Sequence, residues 1–407
     1  MLTLLITVPL TLHYLGVERY GMWGTMSSFI ALLSFADFGI GNGLLTRVSA
    51  AHGRGDQAEI IRYISSAFFV LSLIAMVLGI AFSSIYNFVP WHRVFNVQGA
   101  LARQEAGPAI AVLAACIALN LPLAIVQKVQ VGLQQGFLAY LWTGLASVAG
   151  LIAVLAAIHF RAGLPWLVMA FVGIPTTVSL INSVTYFATR QDIRPQIGSV
   201  SKHGITTLTQ TGLLFVILQM VVAAGYGSDN IIVAHTLGAA HVAEYSVPAQ
   251  LFTLITTVLG VALAPLWPAY GAAIGQHDTE WVKATLIRSL TTAIAFASIA
   301  SLALLLAAPT ILRFWVGHTV HAPFLLLLGL SLWRVIDAGG SAVTVYLNGA
   351  NLLRFQLSVL GVAGVLAVVF KVMLIHAIGI SGVAWGSILS YLLAAIPTIV
   401  FLRRKFT

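Results

Sequence analysis

The chain has 407 residues, of which 59% are hydrophobic and only 8% are charged, and its formal net charge is +9. Soluble domains carry about 25% charged residues, so this composition excludes a cytosolic enzyme, a disordered protein and a disulfide-rich secreted scaffold. The basic residues are scattered singly between apolar runs, which argues against nucleic-acid binding and favours a membrane protein with many spans.

Apolar runs of membrane-crossing length follow one another along the chain. About 20 helical residues cross a hydrocarbon core of roughly 30 Å, and these runs lack the two-residue alternation of barrel strands. We therefore predict an all-α polytopic membrane protein of about twelve helices. The predicted spans are 1–16, 22–46, 63–86, 107–131, 138–160, 164–187, 206–238, 244–272, 285–311, 322–349, 354–376 and 379–402.

Positive charge predicts the orientation of these spans. With twelve spans and both termini in the cytoplasm, 13 of the 20 Lys and Arg residues fall in cytoplasmic ends and loops and 5 fall in outer loops. Cytoplasmic loops of membrane proteins carry an excess of Lys and Arg. This distribution therefore favours two cytoplasmic termini over the reverse topology.

Short motifs recur 222 residues apart, which indicates an internal duplication. The recurring segments are 13–16 with 235–238, 50–56 with 272–278 and 174–176 with 396–398. We predict two six-helix lobes, residues 1–200 and 203–407, related by an axis along the membrane normal with a binding site between them. The counterpart of the seventh span would begin before Met1, so we expect a first helix shortened at its N-terminal end. Chance similarity between hydrophobic segments is the alternative.

Asp37 is the first ionisable side chain placed inside a predicted span. Such a group costs about 2.5–3.5 kcal/mol near the bilayer centre, so it usually faces a polar cavity. Asp37 stands in the segment Phe35–Gly43, whose three glycines permit close helix packing. Asp37 is a candidate for ion coupling, and Asn42 and Arg47, which follow at five-residue steps, are candidate cargo contacts. The alternative for Asp37 is capping or hydrogen bonding within the helix packing.

Asp229 follows the segment Gly225–Ser228, whose two glycines favour a softened or broken helix, as at the binding sites of transporters. We expect Asp229 to lie within the membrane as a second candidate for ion coupling. Gln210 and Gln219, upstream in the same span, are candidate cargo contacts lining the same cavity. The alternative is that Asp229 ends the span at the outer surface.

Arg334 and Asp337 stand three residues apart, which makes them neighbours on one helical face. A guanidinium held by a carboxylate suits an anionic cargo, because its fork binds two phosphate oxygens. The alternative is a self-neutralising pair that only supports packing. Lys128 and Lys371 lie near the ends of their spans and either contact cargo or extend their ammonium groups to the membrane surface.

The sequence contains no catalytic constellation. No glycine-rich phosphate loop is followed by Lys and Ser or Thr, and no large loop offers the acids of a transferase. We predict no enzyme activity, no metal site and no cofactor.

Several strings resemble the bacterial polysaccharide and O-antigen flippases of the multidrug/oligosaccharidyl-lipid/polysaccharide exporter superfamily. They are LGVERYGMW at 15–23, DFGIGNG at 37–43, DNII at 229–232, VAEYSV at 242–247 and PLWPAY at 265–270. The resemblance implies two six-helix lobes around a central cavity, alternating access, and a cargo of undecaprenyl-pyrophosphate-linked oligosaccharide in the bacterial inner membrane. The implied partners are that cargo, membrane lipids, a polysaccharide polymerase and glycosyltransferases.

The resemblance and the charged residues together predict the roles of individual side chains. Arg47 and Arg334, with Lys128 or Lys371, are expected to hold the pyrophosphate at different stages of transport. Proton or sodium coupling is expected at Asp37, Asp229 or Asp337. A small-molecule cation exporter of the same superfamily and a membrane enzyme of polysaccharide assembly remain as alternatives.

Overall fold

The computed structural model describes residues 14–16, 18–27, 37–238, 241–316 and 322–406, and every regular element in these ranges is helical. The α-helices from residue 40 onward are α1 Ile40–Arg54, α2 Gln57–Tyr86, α3 Trp91–Val94, α4 Ala100–Leu123, α5 Ile125–Gly132, α6 Gly136–His159, α7 Leu164–Val168, α8 Ile174–Thr189, α9 Lys202–Tyr226, α10 Asp229–Thr236, α11 Val242–Leu263, α12 Leu266–Gly275, α13 Thr279–Val316, α14 Phe324–Gly349, α15 Leu353–Ile378 and α16 Ser381–Phe406.

Ten helical segments of the described ranges are long and apolar enough to cross a membrane. They coincide with the last ten predicted spans, whereas the first two predicted spans lie partly outside the described residues. Large apolar side chains on these helices point away from the protein; Ile299 and Leu306 on α13, for example, are 72% and 75% exposed. Such surfaces suit lipid, and the predicted all-α, multi-pass membrane protein is confirmed.

The chain divides into two compact units, Met1–Leu213 (unit 1) and Leu214–Thr407 (unit 2). The division falls inside α9, whereas the sequence predicted a boundary at 200–203. Each unit has its own apolar cores. In unit 1 they include Ile64 and Leu113, and in unit 2 they include Phe252 and Tyr346, all of which are almost fully buried.

The turn between α1 and α2 in unit 1 is repeated between α12 and α13 in unit 2. The carboxylates of Asp56 and Asp278 each accept a backbone N–H from the first turn of the following helix, at 2.9 and 3.0 Å. The residues before them, Gly55 and His277, both have positive φ, 69° and 61°. These pairs are 222 residues apart, so the offset found in the sequence marks one turn geometry used twice.

The two capping carboxylates are expected to stabilise their helices equally. Asp56→Ala and Asp278→Ala should each lower the free energy of unfolding by about 1 kcal/mol, because each leaves a helical N–H without its acceptor. Thermal unfolding of the purified chain in detergent measures the loss. Asp56→Asn and Asp278→Asn keep an acceptor oxygen and serve as matched controls. Equal melting temperatures for the Ala and Asn variants would contradict the capping role.

Candidate functional site

A buried ion pair in unit 2 joins α10 to α15. The side chain of Lys371 is fully buried, and its ammonium Nζ donates to Asp229 Oδ1 at 2.5 Å and to the Gly225 carbonyl at 2.7 Å. The second carboxylate oxygen of Asp229 accepts the hydroxyl of Tyr245 at 2.5 Å. Both charges therefore find partners inside the protein, as buried charges require.

The break between α9 and α10 creates this position. Helix α9 ends at Tyr226 and α10 begins at Asp229, so the predicted break near Gly225–Ser228 is present. The last carbonyls of a helix lack intrahelical partners and favour cations, whereas the first turn of a helix favours anions. The ammonium of Lys371 takes a carbonyl at the end of α9, and Asp229 occupies the first turn of α10.

Glycines allow the backbones of α9, α15 and α16 to approach closely enough for the short contacts of Lys371. A Cβ on Gly225 of α9 would lie 2.7 Å from the Cα of Gly364 on α15. A Cβ on Gly386 of α16 would lie 2.6 Å from the backbone nitrogen of Lys371. Neither position has room for a side chain, so these glycines place Lys371 directly beside the end of α9.

Arg334 and Asp337 form the second charged pair of unit 2. Arg334 Nη1 lies 3.4 Å from Asp337 Oδ2, and the two side chains are 14% and 27% exposed. The other terminal nitrogen of Arg334, Nη2, donates to Thr253 Oγ1 at 2.7 Å and lies 3.5 Å from the Ala249 carbonyl. The buried Nε of Arg334 bonds to no residue in the described ranges.

One face of α11 contacts both charged pairs, Asp229–Lys371 and Arg334–Asp337. Tyr245, Ala249 and Thr253 recur every four residues, which places them on the same side of the helix. Tyr245 bonds to Asp229, while Ala249 and Thr253 bond to Arg334. None of these three residues was predicted from the sequence, although the eight-residue spacing of Tyr245 and Thr253 was a usable signal.

Three aromatic rings lie beside the two pairs. The ring centroid of Tyr226 is 5.3 Å from the ammonium of Lys371 and 5.3 Å from the ring of Trp333. Tyr391 makes edge contacts with both rings at 6.0 and 5.5 Å. Because Trp333 precedes Arg334 on α14, this aromatic group connects the lysine pair to the arginine pair.

In unit 1, Lys128 and Asp37 line one cavity of about 260 Å³. The ammonium of Lys128 donates to Asn42 Oδ1 at 2.8 Å. The carboxylate of Asp37 accepts the backbone N–H groups of Gly39 and Gly41 at 2.9 and 3.2 Å. Asp37 therefore caps the start of α1, as the alternative interpretation expected. It also lines the same cavity as the cationic side chain of Lys128.

Arg47 lies against α9 within unit 1. Its Nη2 donates to Thr211 Oγ1 at 3.3 Å, and its buried Nε has no partner among the residues described. The backbones meet at a glycine contact, since a Cβ on Gly39 would lie 2.3 Å from the carbonyl oxygen of Gly212. The close helix packing predicted from the DFGIGNG string is present at this point.

Gln210 and Gln219 are not brought together. Both side chains are exposed on α9, but nine residues correspond to two and a half turns, so they lie on opposite faces of the helix. They also belong to different units, because the division follows Leu213. The expectation that both glutamines line one cavity finds no support in this geometry.

Comparisons with known proteins identify a family and a fold for the chain. A family described as "Polysaccharide biosynthesis protein" matches residues 1–274, and no curated protein matches the chain significantly. Similar solved structures include an outward-facing multidrug resistance MATE family transporter of the MOP superfamily, with 16% identity and a TM-score of 0.81. A MATE protein in complex with MaL6 (16%, 0.80) and a MOP superfamily transporter from Pyrococcus furiosus (15%, 0.80) are also similar. Each match covers 100% of this chain and 94% of the other, and at these identities it shows the fold.

Removal of one partner of the buried ion pair is expected to cost far more than removal of both. Lys371→Met leaves the carboxylate of Asp229 without its cation; because Asp229 is 21% exposed, the free energy of unfolding should fall by about 3 kcal/mol, the lower end of the range for buried pairs. The double variant Lys371→Met/Asp229→Asn should recover much of this loss, because neither charge remains. Thermal unfolding of the wild type, Lys371→Met, Asp229→Asn and the double variant in detergent measures the coupling. Strictly additive losses would contradict a direct ion pair.

Proposed function

Because the chain belongs to the polysaccharide biosynthesis protein family, we propose that it is a flippase for undecaprenyl-pyrophosphate-linked oligosaccharide. In this proposal it moves the lipid-linked repeat unit of an O-antigen or exopolysaccharide from the inner to the outer leaflet of the bacterial cytoplasmic membrane. The transport proceeds by alternating access, and both chain termini face the cytoplasm. Glycosyltransferases supply the cargo and a polysaccharide polymerase consumes it.

The observation that carries the proposal is a state shared by two arginines, Arg47 on α1 and Arg334 on the membrane-spanning helix α14. Arg47 and Arg334 each bond a threonine hydroxyl through Nη2, and each keeps a buried Nε that bonds to no described residue. A buried N–H without a partner is costly. A phosphate oxygen is a suitable acceptor, since the guanidinium fork matches phosphate geometry.

The balance of charge supports an anionic cargo. The charged candidates comprise four cations, Arg47, Lys128, Arg334 and Lys371, and three acids, Asp37, Asp229 and Asp337. A transporter of cationic compounds would require an excess of acids to replace the water around its cargo. This observation favours the pyrophosphate cargo over the cation antiporter of the same superfamily.

The ten candidate residues divide by their surroundings. Arg47, Arg334 and Lys128 are assigned to the pyrophosphate. Lys371 is assigned to Asp229 as its counter-ion, because it is fully buried and bonds to Asp229 and Gly225. Asn42 is assigned to the sugar, and Gln210 and Gln219, which lie on opposite faces of α9, are assigned to it only as separate contacts.

The acids are assigned to ion coupling. Asp229 and Asp337 each face a cation in unit 2, and Asp37 shares a cavity with Lys128 in unit 1. Coupling requires that the ion bind the two conformations of the transporter with different affinities. A conformation that separates Asp229 from Lys371 would leave the carboxylate free to bind the coupling ion.

Arg334 is expected to be required for transport. In vesicles containing the purified chain and a labelled lipid-linked oligosaccharide, Arg334→Ala should slow translocation about ten-fold or more, since hydrogen bonds to charged groups contribute about 1.5–3 kcal/mol. Arg334→Lys keeps the positive charge but lacks the guanidinium fork, so its translocation rate should lie between those of the wild type and Arg334→Ala. Arg62→Ala, an exposed arginine at the start of α2, is the matched control.

Three outcomes would contradict these assignments. Full transport by Arg334→Ala removes this residue from the cargo site. Translocation of cationic dyes by a chain that leaves the oligosaccharide in place favours the cation antiporter. Glycosyl transfer by the purified chain favours the membrane enzyme.

A further inference from the structure

A second cavity, of about 290 Å³, lies within unit 2 among α13, α14, α15 and α16. Fourteen of the eighteen residues that line it carry no polar side-chain atom, and none of the eighteen is charged. The lining extends along α16 from Tyr391 to Leu402, which corresponds to about 16 Å of helix. The cavity therefore suits an elongated, uncharged, apolar group.

Gln356 is the exception in this lining. It is 2% exposed, and neither its amide nitrogen nor its amide oxygen bonds to any residue in the described ranges. Buried polar groups in native proteins almost always have partners. An amide that lines a cavity without a partner indicates that the natural occupant carries a polar group as well as an apolar chain.

One end of this cavity lies near the ends of helices. Phe355 and Leu402 line it where α15 begins and α16 ends, and the ring of Phe355 stacks on Phe401 with centroids 4.1 Å apart. The ammonium of Lys283 at the start of α13 donates to the Phe406 carbonyl at 3.2 Å. Three helix ends therefore meet at the mouth of the cavity.

Two exposed arginines stand at these helix ends. Arg354 precedes Phe355, and Arg404 lies near the end of α16; neither forms an ion pair with a described residue. Arg354 is in the first turn of α15, where backbone N–H groups also favour an anion. The mouth of the cavity is cationic while its interior is uncharged.

We propose that this cavity binds an anionic phospholipid, with one acyl chain inside and the phosphate on Arg354 at the mouth. A cavity of about 150 Å³ holds a benzene ring, so 290 Å³ has room for roughly ten to twelve carbons of an acyl chain. The ester carbonyl of the lipid is a suitable acceptor for the Gln356 amide. The proposal concerns the lipid around the protein and is independent of the transported cargo.

Retention of lipid by the purified full chain tests the proposal. Native mass spectrometry compares phosphatidylglycerol with phosphatidylcholine of identical acyl chains. We expect phosphatidylglycerol to be retained about five-fold more strongly, the effect of one basic residue at a membrane surface. Arg354→Gln should remove this preference. Ala395→Phe, which fills the cavity, should remove retention of the lipid itself. Arg62→Gln, an exposed arginine of unit 1, is the matched control and should retain the preference.

A photoreactive group on the acyl chain of phosphatidylglycerol provides a second measurement on the unmodified chain, in case Ala395→Phe fails to fold. Labelling of Val343, Leu360 or Ile399 supports the site. Four results would each overturn the proposal. Two concern the headgroup: equal retention of the two lipids, or an equal loss of the preference for phosphatidylglycerol in Arg62→Gln and Arg354→Gln. The other two concern the cavity: unchanged lipid binding by a folded Ala395→Phe, or labelling confined to other helices. Binding of glycerol phosphate as tightly as the lipid would also overturn it, because that result leaves the apolar cavity without a role.

Discussion

The ammonium of Lys371 constrains the whole arrangement of unit 2. A lysine without exposure to solvent is tolerated only when its charge is matched and its protons are bonded. The carboxylate of Asp229 and the carbonyl of Gly225 meet both needs. The interruption between α9 and α10, the close glycine contacts of α15 and the Tyr245 hydroxyl directed at the same carboxylate all meet at this interaction.

The two units share backbone geometry but not charge. The turn with Asp56 in unit 1 is reproduced with Asp278 in unit 2. In contrast, Val112 and Ala149 stand 222 residues before Arg334 and Lys371. The repeated turn depends on helix capping, which any soluble or membrane helix needs. The charges of Arg334 and Lys371 therefore have no counterparts at that offset.

Much of the fold was predictable, because long apolar runs have few other structures available in a bilayer. The break before Asp229 and the glycine packing after Asp37 were also visible as local strings. The pairing of Asp229 with Lys371 was not predictable, since 142 residues separate them and no local pattern connects them. Sequence reasoning placed Lys371 near a membrane surface or on the cargo, but helix packing encloses it. The same limit applies to Thr211 and Thr253, whose contacts with the arginines depend on how separate helices meet.

The net charge of the charged cluster in unit 2 determines how its movement would depend on the transmembrane potential. The formal charges of Asp229, Lys371, Arg334 and Asp337 sum to zero. Moving a net charge through the transmembrane potential requires about 2.3 kcal/mol per elementary charge and 100 mV. A displacement of this neutral cluster would therefore be insensitive to voltage. Any dependence of turnover on membrane voltage would have to come from the cargo, from a bound ion, or from charges elsewhere in the chain.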